Sequence, residues 1–308
     1  MKVRPDLTTA VALLAAVLAE AATPLRANWA LDRIDQRQLP LDNRPTARAG
    51  GSGVTLYVID TGVRTAHPEF EDRARSVGDF MAGSPGGADA DDCAAPDGHG
   101  TLNASLAAGA TFGVAPKAAI RGLRAAGGPA CDGDVHAVVR AVDWVTAHGQ
   151  RPAVVNISFR FASTELNAAI HRSVSAGFLY TLSAGTAGDV TSYWGTTLPE
   201  ETVIVAGTDD NDTAMQERYG PALTMFAPGV SVTGAGLRDG GTGFTPTREQ
   251  SGDSYAAPIA AGVALLYLER HPAAMPRVVR QALIDAATAG VVKNPGASPN
   301  RLLHLTES

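Results

Sequence analysis

A carboxylate, an imidazole and a hydroxyl stand in three short segments of this 308-residue chain, each beside residues too small to bury them. Val58-Ile59-Asp60-Thr61-Gly62 reads as a hydrophobic strand that ends in an acid and a tight turn. The C-terminal ends of parallel strands are where open α/β sheets place their sites. Asp97-Gly98-His99-Gly100-Thr101 sets a histidine between two glycines, ahead of a small-residue helical run from Ala104 to Ala108. Packing does not explain such a histidine. Ser251-Gly252-Asp253-Ser254-Tyr255-Ala256-Ala257-Pro258 holds a serine at the start of a helix, where free N–H groups and the positive end of the dipole favour a developing oxyanion. Each segment alone also reads as a turn aspartate, a surface histidine or a capping serine. Together they hold the parts of nucleophilic acyl transfer: Ser254 attacks a carbonyl, His99 moves the proton and Asp60 fixes the imidazole tautomer.

These side chains need a scaffold that brings strand ends and helix starts together. Short apolar runs at Val54 to Ile59, Ala119 to Leu123, Val154 to Ile157, Phe178 to Leu182, Val203 to Ala206 and Leu223 to Phe226 read as strands alternating with helical patterns. That alternation predicts a parallel α/β sheet with crossover helices. Asp134 caps a helix whose Val135, Val138, Val139, Val142 and Val145 fall at helical spacing, and Gly149 stops it. A second helix runs from Ser254 to Glu269, small on nearly every face and therefore central, with Pro258 in its first turn and Pro272 after its end. A third spans Pro276 to Ala289 and ends at Gly290.

At 45% hydrophobic and 18% charged, the chain can bury a core and is too apolar to be disordered. Its net charge of -6 is scattered, with no basic stripe to track a phosphate backbone, so nucleic acid is not an expected partner. Lys2 and Arg4 precede an apolar run from Leu7 to Leu18, and Ala19-Glu20-Ala21 offers a cleavage site. Residues 1–21 therefore read as an export signal, which places the mature product outside the cytoplasm, extracellular or periplasmic. No other stretch approaches the ~20 apolar residues of a membrane span, so no membrane association is expected after cleavage. Cys93 and Cys131 read as one disulfide in an exported chain, or as two buried thiols in a retained one. A bridge would stabilise the fold by on the order of 3 to 4 kcal/mol in the chain-entropy model.

The chain order Asp60, His99, Ser254 and the motifs around these residues resemble the subtilisin-like serine peptidases of the subtilase superfamily, and within it the proteinase K and aqualysin group. Trp29-Ala30-Leu31-Asp32-Arg33-Ile34-Asp35-Gln36 is similar to the mature N-terminus of that group, and Ser298-Pro299-Asn300-Arg301-Leu302-Leu303 to its C-terminal end. Asp143-Trp144-Val145, Asn156-Ile157-Ser158 and Phe226-Ala227-Pro228-Gly229 resemble internal landmarks in the same order. The resemblance implies a three-layer α/β fold, with a mainly parallel twisted sheet between helices on both faces. It also implies a Cys93–Cys131 disulfide, a peptide-bond hydrolase working through an acyl-enzyme on Ser254, a protein or peptide substrate, a monomer, and no cofactor for catalysis. The family's structural calcium is a further implication, with Asp209 matching one ligand. Read without the family, Asp209, Asp210 and Asp212 form a solvated turn.

Four departures stand against that pattern. The oxyanion hole implied by the family pairs the Ser254 N–H with an asparagine amide, and here the segment reads Ser183-Ala184-Gly185-Thr186. Thr186 offers only a hydroxyl. The glycine-rich run that lines the substrate groove in relatives appears as Ser158-Phe159-Arg160-Phe161-Ala162, putting side chains where a ligand would meet bare backbone. Within the motifs, Leu102-Asn103 replaces His-Val and Asp253 replaces a threonine before the nucleophile. Finally, with residues 22–308 read as one peptidase domain, no propeptide domain is evident. The sequence reading is thus a secreted serine endopeptidase, weakened or narrowed in specificity. Its rivals are a non-catalytic pseudopeptidase that only binds, and a peptide-maturing acyl-transfer enzyme on the same fold.

Overall fold

The computed structural model describes residues 28–46, 50–81, 91–93, 98–128, 130–185, 188–194, 197–215, 218–237 and 244–305. The expected signal segment, Ala187 and Thr186 lie outside them. A nine-stranded sheet forms the centre. Its principal strands are β1 (Thr55–Asp60), β2 (Ala74–Asp79), β3 (Ala119–Arg124), β4 (Ala153–Ile157), β5 (Leu179–Ser183), β6 (Val203–Thr208) and β7 (Met225–Pro228). Across the sheet the order runs β7-β6-β5-β4-β1-β3-β2, and every pair in that run is parallel. Arg301–Leu302 and Thr288–Ala289 extend the β7 edge, Arg301–Leu302 pairing in parallel with β7 and Thr288–Ala289 pairing antiparallel with Arg301–Leu302.

Alternation along the strands sorts side chains into two cores. Leu56, Val58, Val154, Val203 and Val205 face one layer, formed by α1 (His99–Ala108) and α4 (Asp253–Arg270). Tyr57, Ile59, Val155, Ile157, Ile204 and Ala206 face the other, covered by α2 (Val135–His148) and α3 (Thr164–Ser175). Every strand residue named here is buried, and each full burial of such an aliphatic side chain is worth roughly 1.5–3 kcal/mol. The three-layer α/β architecture expected from the motifs is the one the chain adopts. β1 sits where the order reverses, with β3 on one flank and β4 on the other. That arrangement opens a crevice at the carboxyl end of β1, where Asp60 stands.

Local chemistry explains most boundaries. Asp134 caps α2 by accepting from the Ala137 N–H at 2.7 Å, and Gly149 follows its end, as the sequence predicts. α4 is alanine-rich on all sides and buried between α1 and the sheet, which its lack of a polar face requires. The third helix is shorter than expected: it stops at Ala286. Thr288 and Ala289 instead pair with Leu302 and Arg301, so cross-strand bonds override the helical pattern there. At the other end of the chain, Trp29–Arg33 forms a short helix capped by the Asn28 side chain. Arg33 is fully buried and holds Asp212 by two bonds, Nε to Oδ1 at 2.6 Å and Nη2 to Oδ2 at 3.0 Å. Among the described residues, no helix is long and apolar enough to cross a membrane.

Candidate active site

Asp60 ends β1 and is fully buried. Its Oδ1 accepts from the Thr61 N–H at 2.7 Å and faces His99 Nδ1 at 2.6 Å. Its Oδ2 accepts from Asn103 Nδ2 at 3.0 Å. His99 opens α1, and the two glycines beside it answer two steric demands. Gly98 caps the helix at φ +61°, a left-handed conformation that favours glycine. A Cβ on Gly100 would stand 2.0 Å from the Gly62 carbonyl oxygen, so only glycine lets the first turn of α1 rest on the turn after β1.

A buried carboxylate, Asp92, braces this pair from behind. Its Oδ1 accepts from Thr61 Oγ1 at 2.7 Å, and its Oδ2 accepts from the Thr101 N–H and hydroxyl at 2.8 and 2.7 Å. Thr61 Oγ1 in turn accepts from the Gly100 N–H at 2.9 Å. The next residue, Cys93, is bridged to Cys131 as expected. Sequence reading passed over Asp92, because a carboxylate in an Asp-rich loop gives no signal of burial.

Ser254 is the second residue of α4. Its hydroxyl donates to the Ser158 carbonyl at 3.3 Å, and the Ser158 hydroxyl donates back to the Ser254 carbonyl at 2.8 Å. The reason lies one turn on. α4 begins at Asp253, so Pro258 is inside the helix rather than in its first turn as expected. A helical carbonyl normally accepts from the N–H four residues later, and proline has none to give. Ser158 takes the position that Pro258 leaves open at Ser254. Asn156 Nδ2 donates to Ser158 Oγ at 3.0 Å and Thr181 Oγ1 donates to Asn156 Oδ1 at 3.0 Å, which ties the nucleophile's turn to β4 and β5. Asp253 does not face the serine hydroxyl's side: its Oδ1 accepts from the Gly207 N–H at 2.7 Å at the end of β6.

His99, Ser254, Ser158, Phe159, Arg160, Phe161, Ser183 and Gly185 line one cavity of about 410 Å³. Ala184, expected among them, is fully buried behind the wall with its N–H on the Val205 carbonyl. The Phe159 ring stands 6.5 Å from the His99 ring, nearly parallel to it, and 5.9 Å from the Phe161 ring. Both phenyl rings lie on Gly133, with ring atoms 3.0 and 3.2 Å from where its Cβ would be. They fill ground between the 158–161 and 132–133 segments. Arg160 is exposed.

At Asp209, the candidate metal ligand, the described contacts are those of a turn. Its Oδ1 accepts from the Asn211 and Thr213 N–H groups at 3.0 and 2.7 Å, and the nearby Asp212 is committed to Arg33. Among the described residues, no group of three or more His, Cys, Asp or Glu is placed to hold a metal ion.

The profile of the Subtilase family matches residues 51–302. The chain belongs to the subtilase family. This subtilase is 40% identical over 283 residues to the extracellular serine proteinase of Thermus sp. (strain Rt41A), covering 90% of this chain and 66% of that one. It is 36% identical over 292 residues to alkaline serine exoprotease A of Vibrio alginolyticus, covering 93% of this chain and 52% of that one. The chain thus spans between about half and two thirds of the length of these relatives. A solved cold-adapted subtilisin-like serine proteinase superposes with a TM-score of 0.82 at 32% identity, covering 92% of this subtilase and all of that chain.

Proposed function

We propose that this subtilase is an exported serine endopeptidase that hydrolyses peptide bonds through an acyl-enzyme on Ser254. The observation that carries the reading is the 2.6 Å bond between Asp60 and His99 in the same cavity as a serine at a helix start. In this scheme Ser254 Oγ leaves the Ser158 carbonyl by rotation about its Cα–Cβ bond and attacks the scissile carbonyl. His99 Nε2 takes the hydroxyl proton and returns it to the leaving amine. Asp60 holds the opposite nitrogen and stabilises the imidazolium. The Ser254 N–H and the Thr186 hydroxyl receive the oxyanion, and water then releases the acyl group. No cofactor enters these steps, and the Asp209 turn is assigned no calcium.

The substrate is a protein or peptide whose residues enter between the 158–161 and 132–133 segments. Phe159 and Phe161 narrow that entry, which supports restricted specificity. Relatives named as extracellular proteinases support export, with residues 1–21 as the leader and the remainder acting as a monomer. A fluorophosphonate probe tests the reading: the folded chain should label at Ser254, and Ser254→Ala should abolish both labelling and peptide hydrolysis. Folded protein that takes no label overturns it.

A further inference from the structure

Asn103 stands where the sequence departs from its relatives, and the mechanism above leaves it without a task. It lies one helical turn beyond His99 on α1, so the two side chains share a face. It is fully buried. Its Nδ2 is 3.0 Å from Asp60 Oδ2 and 3.3 Å from His99 Nδ1. The orientation of this amide is forced by chemistry: turned over, it would set its own oxygen against a carboxylate oxygen at hydrogen-bonding distance. Asn103 Oδ1, by contrast, has no hydrogen-bond partner among the described residues. A buried carbonyl left this way costs stability, and an aliphatic side chain of the same size would avoid that cost. Packing therefore does not account for an amide here, whereas its bond to Asp60 does.

We propose that Asn103 is a positioning residue for the Asp60–His99 pair, one that fixes the carboxylate and keeps His99 neutral at lower pH. This inference rests on the catalytic reading above. The carboxylate is gripped on both sides, by Thr61 N–H and His99 on Oδ1 and by Asn103 on Oδ2, which removes its freedom to rotate. Two electrostatic effects share one sign. The Asn103 N–H draws charge from Asp60, weakening its pull on an imidazolium. The positive end of the same amide dipole, beside Nδ1, opposes a positive charge on the ring. The groups around His99 are Asp60 from β1, Asp92 behind Thr61 and Thr101, Asp132 and Arg160 on the cavity wall, and the Tyr255 and Phe159 rings. Asn103 is a neutral side-chain donor placed against both members of the Asp60–His99 pair.

Asn103→Leu removes the amide while keeping its branched shape, with two methyl groups in place of the amide oxygen and nitrogen. In the Ser254→Ala chain, the NMR titration midpoint of His99 should rise by about 0.5 to 1 pH unit on adding this change. In the chain with Ser254 intact, the acid limb of kcat/KM should move up by the same amount. There kcat should fall roughly 3- to 10-fold near the limb with little change in KM, while Tm falls, because the buried Asp60 Oδ2 loses a donor. An unmoved midpoint and limb, or a lower Tm with an unmoved midpoint, overturns the proposal. If the leucine variant does not fold, Asn103→Ala carries the same readouts. A parent chain that neither labels nor hydrolyses defeats the catalytic reading alone, since the His99 titration still decides the role of Asn103.

Discussion

On the wall of the cleft that carries Asp60 and His99, position is set by hydrogen bonds that leave little freedom. Two carboxylates, two threonine hydroxyls, an amide and three backbone N–H groups interlock around the imidazole. On the facing wall, formed by residues 158–161 and 132–133, position is set by aromatic rings lying on a glycine backbone. Ring packing is less directional than a network of charge-assisted bonds, and it tolerates substitution more readily. In the proposed mechanism the first wall serves a proton transfer that fails if misplaced by an ångström. The second meets whatever substrate enters. The contrast teaches that the two walls are held by different physics, and that departures from the family pattern touch both: a single amide, Asn103, in the first and the aromatic run Phe159–Phe161 in the second.

Three changes would break or sharpen that contrast. Asp60→Asn attacks the rigid wall at its centre and should lower kcat by about 10⁴-fold, because an amide there stabilises the wrong imidazole tautomer. Steady-state kinetics with the stability of the variant measured alongside would check it, and a loss below tenfold would mean that the network does not serve proton transfer. Thr186→Asn supplies the amide that the family pattern expects for the oxyanion and should raise kcat on a generic peptide substrate by roughly 10- to 100-fold, out of the 10²–10³ that such an amide is worth. An unchanged rate would place the limiting defect in the groove. Phe159→Leu combined with Phe161→Gly opens the selecting wall and should lower KM for an extended peptide by about tenfold relative to a single-residue ester. The ratio of the two KM values is the measurement, and equal shifts for both substrates would remove the rings from any role in selection.

The fold was legible because its signals are local and repeated: six apolar runs at strand length, a capped valine-striped helix and an alanine-rich helix too uniform to sit anywhere but the centre. Residues 164–175 were equally readable in principle, since Ser163 accepts from the Leu166 N–H and Leu166, Ala169, Ile170 and Val174 fall at helical spacing. Asp60, His99 and Ser254 were legible because glycines and small residues around a reactive side chain have few structural explanations. What escaped was tertiary. Asp92 and Thr181 contribute through partners distant in the chain, and nothing in their neighbours signals this. The exchange between Ser158 and Pro258 depends on where α4 starts, a matter of one or two residues that periodicity does not resolve. Asn103 was visible as an oddity in a motif, but its contacts emerge only when α1 is laid beside β1.

The buried ion pair between Arg33 and Asp212 bears on how far such a chain can be trimmed by proteolysis. Arg33 belongs to the helix that begins at Trp29, whose indole donates to the Ser231 carbonyl at 3.1 Å. A cut that releases this helix would strand the Asp212 carboxylate in a dry environment without its counter-charge, at a cost of about 3–5 kcal/mol. The short helix therefore acts as a clasp, and its release by a nick is opposed by thermodynamics.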